Sequence, residues 1–214
     1  IHTFAINKKN GTMKLAIMTK PTFFVEEDKI LATLFEAGLD NLHLYKPNSS
    51  PIYSERLLSL LPEKFYDKIT VHGHFYLKEE YRLAGIHLDD NSETVPNGYK
   101  GRISGTCRNI DDLRMMKKKY SYVFLGNIFN SISLPTATSC FTMNDLEAAA
   151  KEGLIDKKVY AIGGISIDRI KILHDLGFGG VVVCGDLWNK FDIHNQIDYK
   201  ELISHFERIR KIVD

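Results

Sequence analysis

The chain has 214 residues, of which 44% are hydrophobic and 26% are charged, and its formal net charge is +1. This length allows one domain with a sizeable core and is a little short for a typical (β/α)8 barrel. The balanced charge provides no net field that would recruit nucleic acid or an anionic membrane, and no apolar run approaches the roughly 20 residues of a membrane helix. We therefore expect neither partner.

In chain order, apolar β-rich runs alternate with helical patterns. The predicted strands are 14–19, 41–45, 68–72, 85–88, 101–106, 122–125, 158–162 and 180–184. The predicted helices are 25–37, 54–61, 77–83, 109–119, 142–152, 166–176 and 198–212. Residues 89–100 contain Pro96 and Gly98 and are predicted to form a loop. Because such alternation produces a parallel sheet with right-handed crossovers, residues 13–214 are predicted to be a single α/β domain, a (β/α)8 barrel.

The cysteines and the first residues of the chain indicate the cellular compartment of the protein. Cys107, Cys140 and Cys184 are widely spaced and form no CxxC pair, so we expect neither a disulfide framework nor a zinc motif. We therefore predict a reduced, cytoplasmic protein. Met13 has the pattern of a natural start, and the residues before it lack the basic and apolar regions of a signal peptide. Residues 1–12 are accordingly predicted to lie outside the fold.

Two glycine turns near the end of the chain predict a phosphate site. Strand 7 runs into Gly163 and Gly164, and strand 8 runs into Cys184 and Gly185. Glycine lets the backbone approach a ligand closely, and a helix start offers N–H groups and a positive dipole end to a phosphate. Paired turns after strands 7 and 8 are typical of the phosphate loops of (β/α)8 barrels. A tight strand-to-helix turn without a ligand is the alternative.

Histidines gather at the carboxyl ends of neighbouring strands, where the active sites of such barrels lie. The cluster comprises His43, His72, His74 and His87, followed by Asp89 and Asp90. Three interpretations stay open. The cluster is a divalent metal site of imidazoles and a carboxylate, a set of hydrogen-bonding or proton-transfer histidines without metal, or a set of polar contacts inside the barrel.

A long loop is predicted after strand 6, over residues 127–141, and it is rich in Ser and Thr. Long loops that follow barrel strands commonly carry function. The hydroxyls of Ser131 and Ser133 are suited to holding an anionic oxygen, while an ordinary polar surface loop is the alternative.

From Met13 onward the chain resembles thiamin-phosphate synthase and its relative, the TenI-like thiazole tautomerase. The segment YVFLGNIF at 122–129 is similar to the strand-6 segment DYVxxGPIFPT of that family, and AIGGI at 161–165 matches the family's own AIGGI. The segments LHLY at 42–45, GIHL at 85–88 and ISGT at 103–106 follow in the order of the family's strands.

The resemblance implies a (β/α)8 barrel, usually a homodimer, that binds a small phosphorylated heterocycle, thiazole phosphate, in vitamin B1 synthesis. It implies that the synthase joins this thiazole to hydroxymethylpyrimidine diphosphate, releases pyrophosphate and uses Mg²⁺. The tautomerase moves a proton and needs no cofactor. The resemblance places the phosphate cradle on Gly163, Gly164, Cys184 and Gly185. It places the ring or pyrophosphate pocket on Tyr45, Thr106, Asn127, Ser131 and Ser133.

The sequence departs from the synthase motifs where pyrophosphate and magnesium would bind. The arginine and lysine of the strand-2 motif QxREK become Tyr45 and Pro47, with Lys46 displaced by one position. The strand-3 motif VND becomes VHGH, so that Asp89 and Asp90 are the candidate ligands if magnesium is used. These losses favour the tautomerase-like proton transfer.

For that reaction the predicted catalytic residues are His43, His72 and His74, of which His43 aligns with the histidine of the tautomerase motif HIRE. Thiamin-phosphate synthase is the first alternative. A homologue that binds its ligand without catalysis, as a regulatory protein, is the second.

Overall fold

Apolar strands that follow one another at regular spacing close into a barrel, as the alternation of elements predicts. The protein is described by a computed structural model over residues 12–90, 94–134, 136–192 and 199–214. The strands are β1 Lys14–Met18, β2 Leu42–Tyr45, β3 Ile69–His72, β4 Gly85–Leu88, β5 Arg102–Cys107, β6 Tyr122–Leu125, β7 Val159–Ile162 and β8 Gly180–Val183. Each strand pairs in parallel with the next, and β8 pairs with β1. The predicted (β/α)8 barrel is therefore confirmed.

Helices follow most of the strands and pack on the outside of the barrel. They are α1 Glu27–Glu36, α2 Pro51–Leu60, α3 Tyr76–Glu80, α4 Leu113–Lys119, α5 Met143–Lys151, α6 Ile170–Asp175, α7 Gly185–Trp188 and α8 Lys200–Val213. Three 3-10 turns accompany them, at Glu63–Lys68, Ile110–Asp112 and Ile167–Arg169. Among the residues that the structure describes, no helix combines the length and apolar character needed to cross a membrane.

The helix boundaries follow local chemistry. α5 begins with a capping box, in which the Thr142 side chain accepts from the Asp145 amide and the Asp145 carboxylate accepts from the Thr142 amide. α2 begins three residues earlier than predicted because Pro51 occupies its first turn, where a proline costs no hydrogen bond. α7 was not predicted, since the helix has only four residues, from Gly185 to Trp188. Residues 94–100 form no helix, in agreement with the predicted loop.

Two apolar regions and one polar region form the interior. The larger apolar region lies between the barrel and its helices, and the smaller lies inside the barrel around Tyr122, Phe124 and Tyr160. Inside the barrel, β2, β3 and β4 contribute buried histidines instead of aliphatic side chains. Because side chains alternate between the two faces of a strand, His43 and Tyr45 share the inner face of β2. The polar half of the interior thus leads toward the carboxyl ends of the strands.

The prediction that residues 1–12 lie outside the fold stays a prediction, because residues 1–11 are outside the described part of the chain. From Met13 the backbone belongs to the barrel, where the Met13 amide donates to the Val213 carbonyl over 3.0 Å.

Candidate active site

The two glycine turns open onto one cleft at the carboxyl ends of the strands. This cleft has a volume of about 310 Å³ and lies between the turns that follow β7 and β8, the loop after β1 and the loop after β6. Gly163 and Gly164 line it from β7, and Cys184 and Gly185 from β8. Tyr45, Ser131 and Ser133 also line it, so the structure brings together seven of the residues that the sequence analysis singled out.

Close packing around the β7 turn explains its glycines. Gly163 and Gly164 have φ of 92° and 65°, in the region that residues with a Cβ rarely adopt. A Cβ at Gly163 would lie 2.7 Å from the Cβ of Asn127, and one at Gly164 would collide with the carbonyl oxygen of Asn130. The β7 turn and the loop after β6 therefore touch along their backbones, and this contact forms one wall of the cleft.

Side-chain contacts from α7 and α8 hold the β8 turn in place. The Trp188 indole N–H donates to the Met18 carbonyl over 2.8 Å, and His205 on α8 lies 2.7 Å from the Asp186 carboxylate. Burial raises the pKa of the Cys184 thiol to about 11, so this side chain is a neutral wall group and not a thiolate nucleophile. Cys184 can therefore contribute its backbone to a ligand but no anionic charge.

The loop after β1 supplies the cation of the cleft. Lys20 lines the cleft, with its Nζ 5.6 Å from the centroid of the Phe24 ring, whereas Lys46, directly after β2, turns away from the cleft. Lys46 Nζ lies 2.6 Å from Glu27 Oε1 and donates to the carbonyl oxygens of Lys20 and Thr22. Both side chains of this pair are 2% exposed. Burial is the main cause that lowers the pKa of Lys46 and raises the pKa of Glu27.

A chain of hydrogen bonds crosses the barrel next to the cleft. His43 Nε2 lies 2.8 Å from the Tyr122 hydroxyl, and His43 Nδ1 lies 2.8 Å from His72 Nε2. His72 Nδ1 in turn lies 2.9 and 3.0 Å from the two carboxylate oxygens of Asp89. The His43 side chain is fully buried, while the Asp89 side chain is 37% exposed at the rim. Tyr45 packs edge-on against the His72 ring, and this contact joins the chain to the cleft.

The other two histidines of the cluster have different surroundings. His87 is fully buried, with Nδ1 2.8 Å from Ser104 Oγ and Nε2 2.9 Å from Thr106 Oγ1. His74 Nε2 lies 3.1 Å from the Ser49 carbonyl oxygen, away from the chain of hydrogen bonds. Burial lowers the pKa of His43 and of His87 well below the ordinary histidine value, so both rings are neutral at pH 7.

A metal ion fits this cluster less well than hydrogen bonds do. The imidazoles of His43, His72 and His87 place one nitrogen each within 4.8 Å of the others. However, both nitrogens of every ring already have a hydrogen-bonding partner. The His72 and His87 rings are also stacked, 4.3 Å apart at 22°, so their in-plane lone pairs run side by side instead of converging on one ion. The arrangement favours the second interpretation, hydrogen-bonded histidines that can pass protons.

Some predicted residues do not line the cleft. Thr106 is engaged with His87, and Asn127 packs behind Gly163. Asp89 lies at the rim beside His72, and Asp90 follows it as an exposed residue. Their roles as pocket residues or magnesium ligands stay predictions.

Sequence reasoning also missed residues of the site. These are Lys20, Trp188 and the cleft's apolar side chains, together with Tyr122 in the hydrogen-bond chain. The inward parity of Tyr122 with Phe124 along β6 was an available signal for the tyrosine.

Known proteins resemble this chain in sequence and in fold. A family model described as thiamine monophosphate synthase matches residues 60–187. A thiamine-phosphate synthase of Serratia proteamaculans is 27% identical over 170 residues, which are 74% of this chain and 79% of that protein. One of Flavobacterium johnsoniae is 27% identical over 140 residues, 60% of this chain, and the match spans just under two thirds of that relative, 65%.

The crystal structure of a thiamine phosphate pyrophosphorylase from Bacteroides thetaiotaomicron has a TM-score of 0.86 and 47% sequence identity, covering 94% of this chain and 97% of its own. The family model covers more than half of the chain, and this identity extends over nearly the whole barrel. The chain therefore belongs to the thiamin-phosphate synthase and TenI family.

Proposed function

We propose that the protein is an enzyme of thiamin synthesis that holds thiazole phosphate in the cleft between β7 and β8 and acts as a thiamin-phosphate synthase. The observation that carries this proposal is the meeting of both glycine turns, Ser131, Ser133 and Lys20 around one ligand-sized cleft. The names of the relatives support the choice of reaction, because each is a thiamine-phosphate synthase or pyrophosphorylase.

The lining of the cleft suits the two ends of such a ligand. The glycine turns approach a phosphate by their backbone, the serine hydroxyls donate to its oxygens, and Lys20 opposes its charge. Around them, apolar side chains including Met18, Ile132 and Trp188 offer a surface for a heteroaromatic ring. A phosphate held at this edge would direct the ring toward Tyr45 and the centre of the barrel mouth.

In the synthase reaction the thiazole nitrogen forms a bond to the methylene carbon of the pyrimidine, and the bond from that carbon to the diphosphate oxygen breaks. Pyrophosphate leaves with the electron pair. Charge that develops on the leaving group must be met by cations or hydrogen-bond donors. Lys20 is the basic side chain that the described cleft offers for this, since Lys46 is occupied by Glu27.

The described residues of the β4 rim fit a magnesium ion poorly. Magnesium prefers an octahedral set of oxygen ligands. Both carboxylate oxygens of Asp89 face His72 Nδ1, and a second imidazole nitrogen, His87 Nε2, lies 3.9 Å from its Oδ1. Nitrogen donors of this kind suit other metals better than magnesium.

A tautomerase-like proton transfer on thiazole phosphate is the second candidate, and one observation favours it. The hydrogen-bond chain from Tyr122 to Asp89 brings two imidazoles to the barrel mouth, and imidazoles are common proton-transfer groups near neutral pH. This reaction needs no pyrophosphate clamp and no metal.

Incubation of the purified protein with thiazole phosphate and hydroxymethylpyrimidine diphosphate, with and without Mg²⁺, tests the proposal. Thiamin phosphate should form, as measured by chromatography. If instead thiazole phosphate alone exchanges ring protons with D2O by NMR, and no thiamin phosphate forms, the second candidate replaces the first. Saturable binding of thiazole phosphate without either reaction would contradict both and indicate a ligand-binding homologue.

A matched pair of variants tests the site itself. Lys20→Met removes the cation of the cleft, and we expect thiazole phosphate to bind roughly 10- to 100-fold more weakly, the usual loss for a hydrogen bond to a charged group. Lys14→Met changes a lysine at the opposite end of β1 and should leave binding unaltered. Equal effects of the two substitutions would place the phosphate elsewhere.

A further inference from the structure

We propose that Tyr122, His43, His72 and Asp89 form a proton relay through the barrel, and that Asp89 is the proton donor that the protein presents at the barrel mouth. The four groups are linked by three successive contacts of 2.8, 2.8 and 2.9 Å. They come from four strands or strand ends that share no sequence motif. The contacts alone support the relay. Only the identity of the molecule that receives the proton rests on the proposed function.

Hydrogen-bond chemistry fixes the direction of this chain. A carboxylate only accepts, so His72 Nδ1 carries the hydrogen that faces Asp89. In a neutral ring, His72 Nε2 is then an acceptor, and His43 Nδ1 must be its donor. His43 Nε2 is in turn an acceptor, and the Tyr122 hydroxyl donates to it. Every hydrogen in the chain thus points from the barrel interior toward the mouth.

The interior end of the chain meets a second cavity. Tyr122 lines a cavity of about 270 Å³ at the opposite end of the barrel, together with Asn41, Arg102 and Tyr160. A cavity of this size and polarity has ample room for water. The Tyr122 hydroxyl can therefore recover a proton from solvent on a side that a ligand in the cleft does not cover.

One passage of a proton leaves every group with its starting number of hydrogens. Asp89 receives the His72 Nδ1 hydrogen, His72 Nε2 receives the His43 Nδ1 hydrogen, and His43 Nε2 receives the Tyr122 hydrogen. The Tyr122 oxygen takes up a proton from solvent in the interior cavity, and Asp89 delivers its proton to the bound molecule. Both imidazoles end as the opposite neutral tautomer. After the product leaves, Asp89 takes up a proton from solvent at the mouth, the reverse shift restores the first tautomers, and Tyr122 releases a proton to the interior cavity. In the synthase reaction the acceptor is an oxygen of the leaving pyrophosphate, and in a tautomerase it is a ring atom.

The surroundings of His43 disfavour a charged ring, so a proton passes this residue by an exchange of tautomers. His43 is enclosed by the rings of His72, His87, Tyr122 and Phe124, and the positive Arg102 is a further group that disfavours its protonation. His72 is faced by His43, by Asp89, by His87 stacked on one side and by Tyr45 at its edge. Asp89 is the one acidic group among these neighbours.

Nitrogen-15 NMR of the histidine-labelled protein without ligand tests the relay directly. We expect His43 and His72 both to carry hydrogen on Nδ1 and none on Nε2. Tyr122→Phe should shift the His43 Nε2 resonance because its donor is removed. The control is Tyr160→Phe, which removes a hydroxyl from a ring stacked 4.8 Å from Tyr122 and should leave that resonance in place. A hydrogen on His43 Nε2 or His72 Nε2 at neutral pH would overturn the proposal.

Kinetics test the use of the relay. Asp89→Asn keeps the shape of the side chain but cannot pass a proton, and we expect kcat to fall about 100-fold with little change in KM, as for the loss of a general acid. Tyr122→Phe should lower kcat and its solvent deuterium isotope effect, whereas Tyr160→Phe should change neither. An Asp89→Asn enzyme of full kcat would overturn the role of Asp89.

Metal titrations of the labelled protein complete the test. Added Mg²⁺ should leave the His72 Nδ1 resonance unmoved, and a saturable shift would assign Asp89 to a metal site instead. Stoichiometric Co²⁺ binding with loss of both Nδ1–H signals would likewise overturn the relay. Because the NMR experiments need no substrate, failure of the proposed function would leave their result standing.

Discussion

The two fully buried histidines make the stability of the barrel depend on pH, and the size of this effect can be worked out. Burial lowers the pKa of both His43 and His87 well below the ordinary value of about 6.5. Below pH 6.5 the unfolded chain therefore binds a proton at each site while the folded protein does not. The free energy of unfolding is therefore level well above that pH and falls as the pH drops, with a slope that approaches about 1.4 kcal/mol per pH unit for each histidine well below pH 6.5.

Because the unfolded histidines titrate around pH 6.5, the loss of stability between pH 7.5 and 5.5 is about 1.4 kcal/mol for each histidine, and about 2.7 kcal/mol for the pair. A small domain has only about 5–15 kcal/mol of stability in total, so this change is a substantial fraction of it. The assay is urea unfolding monitored by circular dichroism between pH 7.5 and about pH 5.5, above the range in which ordinary carboxylates titrate. Burial raises the pKa of Glu27, which acts with the opposite sign, but Glu27 is common to all the proteins compared.

Substitution isolates the contribution of one ring. His87→Gln keeps a polar side chain between Ser104 and Thr106, and it should reduce the loss of stability between pH 7.5 and 5.5 by about 1.4 kcal/mol whatever its effect at pH 7.5. His174→Gln, on the outer helix α6, should keep the slope of the unaltered protein. A stability that stays level between pH 6.5 and 5.5, or a His87→Gln slope equal to that of the control, would refute the argument.

Three further substitutions probe contacts that hold the cleft and the surrounding barrel in place. Gly164→Ala would force a Cβ into the Asn130 carbonyl, so we expect a lower melting temperature together with weaker thiazole phosphate binding. If both values stay unchanged, the β7 turn can relax around the added methyl group. Lys46→Met would leave the buried Glu27 carboxylate without its cation, so the free energy of unfolding measured with urea should fall by about 3–5 kcal/mol. The double variant with Glu27→Leu should recover most of this stability. Thr142→Ala removes the cap of α5 and should cost about 1 kcal/mol, while thiazole phosphate affinity, the internal control, should stay constant.

The fold could be predicted from the sequence because its signals are local. Each of the eight strands was predicted to within one residue at both ends, since a short apolar run bounded by polar and turn residues can be recognised without knowledge of its neighbours. The glycines after β7 likewise indicated the cleft, because a backbone that must adopt positive φ beside another segment selects glycine at that position.

The partners of individual side chains could not be predicted in the same way. Lys46 stands one position from the place of a pyrophosphate-binding lysine, yet it forms a buried pair with Glu27, which lies in the first turn of α1. Tyr122 is distant in sequence from His43, and only the closure of the barrel brings the two within 2.8 Å. α7 was missed because a helix of four residues has too little periodicity to stand out.

By itself, then, the sequence determined the order of strands and helices, the closure into one barrel and the rim on which the glycine turns lie. These depend on hydrophobic period and turn chemistry, which are properties of a few consecutive residues. Only the tertiary structure decided that the histidines of β2 and β3 join Tyr122 and Asp89 in one chain, and that Lys20 faces the cleft in place of Lys46. Those contacts depend on the register of neighbouring strands and on which charged groups can be paired when they are buried.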